Sequence, residues 1–175
     1  MLDADALGHR VLDLPDIRAR LVRAWGPGIL RGSGSRSRSR SRSKVDRAAL
    51  ARVAFGSARS VGRLNRIVHP AILREIRRRL ATARRWTVLD AALLYEAGAD
   101  RLCDRVIFVD APRALRIRRT AARGWGAGEL EKRERYQWPV AYKKKKADYV
   151  LNNTGPGSRT ERQLEMILDE LRRTV

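Results

Sequence analysis

The chain has 175 residues, enough for one domain with a real core, and its 39 Lys plus Arg against 19 Asp plus Glu give a formal net charge of +20. That balance favours polyanionic partners: nucleic acid, an acidic membrane surface, or phosphate-rich small molecules. A single cysteine, Cys103, excludes an internal disulfide, and two histidines beside it give no zinc spacing. No run approaches the ~18 apolar residues of a membrane span and no signal peptide opens the chain, so a cytosolic protein is expected.

Residues 6–24 pattern as helix with a break near Pro15, and stop at the turn cluster Trp25-Gly26-Pro27-Gly28. Residues 31–44, RGSGSRSRSRSRSK, hold six of the positive charges and no acid, which leaves +14 spread over the rest. The run has no apolar side chain to bury and reads as a disordered loop. Helical patterning resumes at Val45. Pro70 suits a first helical position, and Ile72, Ile76 and Leu80 then recur as one apolar stripe, with Arg74, Arg77 and Arg78 around it.

The pattern then changes. WTVLDAALL (86–94) and RVIFVDA (105–111) are short, β-branched and mostly apolar, as buried parallel strands tend to be. Pro112 opens a helix through about Ala122. GWGAG (124–128) leads to a charged helix containing KRERYQW, and the lysines 143–146 after Pro139 read as a solvated face, with contact of one of them to a phosphate as the other reading. DYVLNN (148–153) is a third strand. The closing helix starts with Ser158 as N-cap and Glu161 three residues on, a capping box, and buries Leu164, Ile167, Leu168 and Leu171.

Strands alternating with helices predict an α/β fold with a parallel sheet. Ligands of such sheets bind at the carboxyl ends of the strands. Asp3, Asp5, Asp90, Asp110 and the stretch Asn152-Asn153-Thr154-Gly155 stand there, and Arg116, Arg118, Arg119, Arg123, Arg133 and Arg135 occupy the charged segment between strands. Carboxylates beneath arginines suit phosphoryl transfer, which needs cations on the transferring group and a base for the attacking hydroxyl.

DADALGHRVL, VDRAALARVAFG, LNRIVHPAI, LLYEAG, VIFVDAP, the arginine-rich helix after it and ADYVLNNTG follow one another here in the order seen in bacterial dephospho-CoA kinases. The resemblance covers nearly everything outside residues 31–44. It implies a P-loop kinase-like α/β fold with a helical substrate-binding region, a lid at about residues 124–146, and one domain over 1–175. It implies ATP-dependent phosphorylation of the ribose 3′-hydroxyl of dephospho-CoA, the last step of coenzyme A biosynthesis, with ATP and Mg²⁺. Residue by residue, Asp5 matches the family's general base, with helix capping as its other reading. Arg47 matches a substrate-side arginine, with a surface helix arginine as its alternative, and His69 either caps its helix or lines the pocket for the acceptor substrate. Arg119 and Arg123 match lid arginines that close on ATP phosphates, and Asn153 and Gly155 the loop beside adenine; a solvated helix face and a simple turn compete. The resemblance gives no metal ligand. Asp90 stands where the family has an apolar residue and proline.

One departure is larger. The family's first strand and its G-x-x-x-x-G-K-[ST] phosphate loop, which cradles ATP phosphates and holds Mg²⁺, have no counterpart in these residues. The first strand is central in such sheets, so the remaining strands are expected to lack a central partner. The opening Met1-Leu2-Asp3-Ala4-Asp5 stands where the family reads valine-isoleucine-Asp-Ala-Asp. A valine codon read as a start predicts an in-frame extension of roughly 25–35 residues with the phosphate loop. The chain by itself is expected to be inactive. The competing readings are a basic RNA-binding protein using the Arg-Ser run and a non-catalytic kinase relative. The aromatic-rich strands of an RNA-recognition motif do not occur. The run reads as a surface-loop expansion, and removing residues 33–43 is expected to leave the fold intact.

Overall fold

The computed structural model describes residues 1–31, 43–83, 86–126 and 128–174, so the disordered-loop reading of the Arg-Ser run falls largely outside the described residues. Two compact units result, Met1–Ala99 and Asp100–Val175. In the first, β1 (Leu2–Asp3) pairs in parallel with β2 (Leu89–Asp90), and α1 (Ala4–Val11), α2 (Pro15–Trp25), α3 (Arg47–Ala54) and α4 (Ala58–Leu80) follow β1 in the chain. In the second, β3 (Ile107–Asp110) pairs in parallel with β4 (Tyr149–Asn152). Between them lie α5 (Arg113–Ala122), α6 (Glu129–Glu134) and α7 (Val140–Lys146), and α8 (Gly157–Thr174) closes the chain.

The α/β class and the parallel pairing stand, but the strands are shorter than their sequence runs. Of residues 86–94 only Leu89 and Asp90 form a ladder, because β1 offers just two partners, Leu2 and Asp3. Trp86 and Val88 are exposed, and so are Val109 and Val150 in the other ladder. Burial on both faces needs further strands or helices over them, and each described ladder has two strands.

α4 is the hub of the first unit, packing against α1, α2 and α3. Leu7, Ile17, Leu21 and Ile76 are essentially fully buried; each such side chain contributes roughly 1.5–3 kcal/mol by leaving water. Pro70 lies inside α4, not at its start. An interior proline costs about 3 kcal/mol. Apolar contacts through Val61, Ile67 and Val68 before it, and Ala71 and Ile76 after it, hold the helix together across it. Ser57 is the N-cap, taking the Ser60 amide. Ser60 Oγ accepts from Trp25 Nε1 at 3.1 Å and donates to the Val53 carbonyl, so one hydroxyl ties α2, α3 and α4.

Two carboxylates shape the passage from α2 to α3. Asp13 Oδ1 accepts the Val45 amide at 2.8 Å, and Leu30 and Val45 form an antiparallel bridge. Asp46 caps α3 through the Ala48 and Ala49 amides, and the Ala49 bond leads the causes that hold its carboxyl below the usual range. In the second unit α8 begins at Gly157, so Ser158 sits in its first turn and is not the N-cap. Leu164, Ile167 and Leu168 are half-buried and Leu171 is buried, the expected face.

The Arg31 amide donates to the Lys44 carbonyl at 3.0 Å, which changes the deletion that tests the run. Removing 33–43 would leave Gly32 alone between paired residues. Removing 34–41 leaves four residues there, within the range of hairpin loops. That variant is expected to melt within about 4 °C of the parent. A fall of many degrees would make the run structural.

Candidate active site

The carboxyl ends of β1 and β2 stand side by side, with Asp3 opposite Asp90 in the ladder. Leu2 donates to the Val88 carbonyl at 2.7 Å, and the chain turns from β1 directly into α1. Asp3 makes that turn: extended at its own backbone, it is the N-cap, its Oδ1 2.8 Å from the Ala6 amide. Capping, the competing reading of Asp5, therefore belongs to Asp3. Asp5 lies in the first turn of α1 and is exposed. A carboxylate there is favoured by the positive end of the helix. Sequence reasoning had a signal for this assignment, since an Asp just before a helical stretch is a cap candidate.

Arg47 is the first residue of α3 and exposed. It lines a recess of about 230 Å³ with His9, Arg10, Leu12, Asp13, Arg31, Lys44 and Val45. Apart from Arg47, the cations of this recess escaped the sequence reading, because residues 10, 31 and 44 converge only in the fold. His69 is half-buried on α4 and hydrogen-bonded to the Glu96 backbone; burial pushes its pKa below the ordinary value, against the pull of the Glu96 charge.

In the second unit the arginines divide into two sets. Arg113 pairs with Glu131, Arg116 with Glu134 and Arg133 with Glu129, and Arg133 also covers the Trp125 ring at 4.3 Å. The first two pairs join α5 to α6. Arg119, in the last turn of α5, and Arg123, its C-cap, enter no ion pair among the described residues. The lysine run is not the uniform solvated face expected of it. Lys143 is buried with Nζ 3.2 Å from Gln137 Oε1, Lys144 reaches Asp110 at 2.5 Å, and Lys146 pairs with Asp100 over the Trp138 ring. Helix α7 packs against β3, and that turns three of the four lysines onto partners.

After β4, the Asn153 amide donates to the Asp110 carbonyl at 2.8 Å, and Thr160 Oγ1 reaches the Asn153 side chain. A Cβ on Gly155 would meet Arg159 Cδ at 3.2 Å, so the loop runs close to α8. Asn152 Oδ1 takes the Thr154 amide, while Gln163 both accepts from the Asn152 amide and donates to its carbonyl. Gln163, missed by the sequence reading, thus fixes the end of β4 from α8.

Short parallel strands, three of the four ending on Asp, with helices between them make this an α/β protein, consistent with a P-loop kinase-like fold. A family model described as dephospho-CoA kinase matches residues 1–158. The chain is 36% identical over 177 residues to the dephospho-CoA kinase of Geobacillus kaustophilus, covering 97% of this chain and 83% of that one. It is 37% identical over 176 residues to that of Deinococcus radiodurans, covering 98% and 80%. A solved Thermus thermophilus protein superposes with a TM-score of 0.75 at 33% identity, over 97% of this chain and 83% of that one. The dephospho-CoA kinase from Campylobacter jejuni, at 22% identity and a TM-score of 0.64, supports the fold alone; 99% of this chain and 85% of that one are covered. The chain belongs to the dephospho-CoA kinase family, and it is a kinase by that membership.

The partial burial of His69 has a pH consequence. Its folded pKa lies below the 6.5 of the free group, so the unfolded chain binds the proton more tightly. The stability from the neutral imidazole is present above pH 6.5 and erodes as pH falls through 6.5 toward the folded pKa. The melting temperature of His69→Gln is expected to fall less between pH 7.5 and 5.5 than that of the parent, roughly the window of an ordinary histidine. Parallel curves would remove His69 as the source.

Proposed function

We propose that this chain supplies the acceptor side and the lid of a dephospho-CoA kinase. Asp5 takes the proton from the ribose 3′-hydroxyl of dephospho-CoA as that oxygen attacks the γ-phosphorus of ATP, the bond to the β,γ-bridging oxygen breaks and ADP leaves. The observation that carries this role is the Asp3 cap: it gives α1 its terminal acceptor and keeps Asp5, in the first turn of the helix, at the carboxyl end of a parallel ladder. Arg47 and His69 serve the acceptor side. Arg119 and Arg123, in or beside a lid at about residues 124–146, bear on the ATP phosphates, and that neither enters an ion pair among the described residues supports that use. Phosphoryl transfer of this kind relies on positioning and on cations that meet the charge of the transferring group. Asn153 and Gly155 lie beside the adenine.

Among the described residues no three His, Cys, Asp or Glu side chains gather to hold a metal. Mg²⁺ fits this chain only as part of the nucleotide substrate, held by phosphates and at most one or two carboxylates. Among the described residues no helix is long and apolar enough to cross a membrane, which agrees with a cytoplasmic enzyme acting on water-soluble substrates.

The 175 residues contain no G-x-x-x-x-G-K-[ST] loop. Alone, they are expected to bind dephospho-CoA and not to phosphorylate it, since the amides, lysine and hydroxyl of that loop are what grip ATP. Mixing the purified chain with ATP, Mg²⁺ and dephospho-CoA and measuring 3′-phosphorylation checks this; turnover would show the loop to be dispensable.

The role of Asp5 is tested in a chimaera that restores turnover with a relative's strand and phosphate loop. Asp5→Asn keeps size and hydrogen bonding but accepts no proton. The expected loss is roughly 10²–10⁴-fold in kcat with a smaller change in KM. Unchanged turnover would take the base role away from Asp5.

A further inference from the structure

The recess lined by Arg47 is not needed for the proton transfer, yet it concentrates charge. Arg10 comes from the carboxyl end of α1, Arg31 and Lys44 from the two sides of the Leu30–Val45 bridge, and Arg47 from the start of α3. Among the described residues none of these four enters an ion pair. The one carboxylate in the wall, Asp13, is engaged by the Val45 amide, and neighbouring Asp46 caps α3. Four cations against Asp13 and the nearby Asp46, whose charge Arg31 also feels, leave an excess of positive charge, and an anion in their midst relieves the remaining repulsion.

Size and position narrow the anion. About 230 Å³ falls short of the roughly 300–1,000 Å³ of a pocket for a whole drug-sized ligand, so the recess suits a fragment. His9, also in its wall, lies four residues after Asp5 on the same face of α1, about 6 Å further along the axis. In dephospho-CoA one ribose ring and one methylene separate the 3′-hydroxyl from the 5′-diphosphate, a span of the same order. We infer that this recess receives the diphosphate bridge of the acceptor substrate, with Arg10, Arg31, Lys44 and Arg47 as its cations and His9 at its edge. The inference rests on the reading of Asp5 as the base toward dephospho-CoA. It makes these side chains binding residues that set the acceptor's direction along α1, with the 3′-hydroxyl at Asp5 and the diphosphate toward the helix end.

The test is calorimetric titration of the full 175-residue chain with dephospho-CoA and, separately, with ADP. Arg10→Gln and Lys44→Gln are each expected to weaken dephospho-CoA roughly three- to tenfold, the scale of one solvent-screened charge contact. Arg10→Lys should restore most of the loss. Arg20→Gln, which removes an exposed charge from α2 away from the recess, should change nothing. Unaltered dephospho-CoA affinity in both glutamine variants overturns the diphosphate site and leaves the proposed function standing. An equal loss in Arg20→Gln, or a loss for ADP as large as for dephospho-CoA, also overturns it, as a general charge effect or a nucleotide site. If dephospho-CoA does not bind the unaltered chain at all, the proposed function falls and takes the inference with it.

Discussion

The hydrogen bond from the Ala6 amide to Asp3 Oδ1 is the contact on which the site depends. It lets a two-residue strand give way to a helix with no intervening loop, so the carboxyl end of the ladder and the amino end of α1 coincide. The amides of a first helical turn have no partners within the helix, and a capping acceptor is worth about 1 kcal/mol. Here its positional effect is larger than its energy. Because Asp3 does the capping, a second carboxylate two residues on stands in the first turn, at the strand ends where α/β proteins place their ligands.

Both units use their acids in this way and leave part of their cations over. Asp3, Asp13 and Asp46 accept backbone amides, Glu129, Glu131 and Glu134 bind arginines of α5 and α6, and Asp100 and Asp110 take lysines of α7. With 19 acids against 39 basic residues, structural duty consumes much of the negative charge. Arg10, Arg31, Lys44 and Arg47 in the first unit, and Arg119 and Arg123 in the second, belong to the cations that enter no ion pair among the described residues. A protein that handles phosphate gains by this division: pairing every cation internally would oblige a substrate to break an ion pair before binding.

The family resemblance, the α/β class and the helix–strand order were legible because ordered local motifs and periodicity carry them. The split of residues 6–24 at Pro15 and the apolar face of α8 came from the same source. Errors gathered where tertiary contacts overrule local preference. Pro70 looked like a helix start, yet packing on both sides carries α4 through it. Ser158 and Glu161 matched a capping box, yet α8 begins one residue earlier. The lysine run looked solvated because four like charges in sequence give no hint that Gln137, Asp110 and Asp100 lie within reach.

The sequence by itself determined which family the chain belongs to, that it is α/β, and that Asp3, Asp90 and Asp110 stand at strand ends, since these depend on residue order and spacing. It left Asp5 between catalysis and capping, and it held no sign that Arg10, Arg31, Lys44 and Arg47 share a recess. Only the tertiary structure decided both. A cap is assigned by a distance, 2.8 Å to one carboxylate oxygen. A charge cluster depends on the convergence of segments up to 37 positions apart, brought together by the Leu30–Val45 bridge and the Asp13–Val45 bond. Spacing along a chain encodes periodicity, but it does not encode which distant segments will meet.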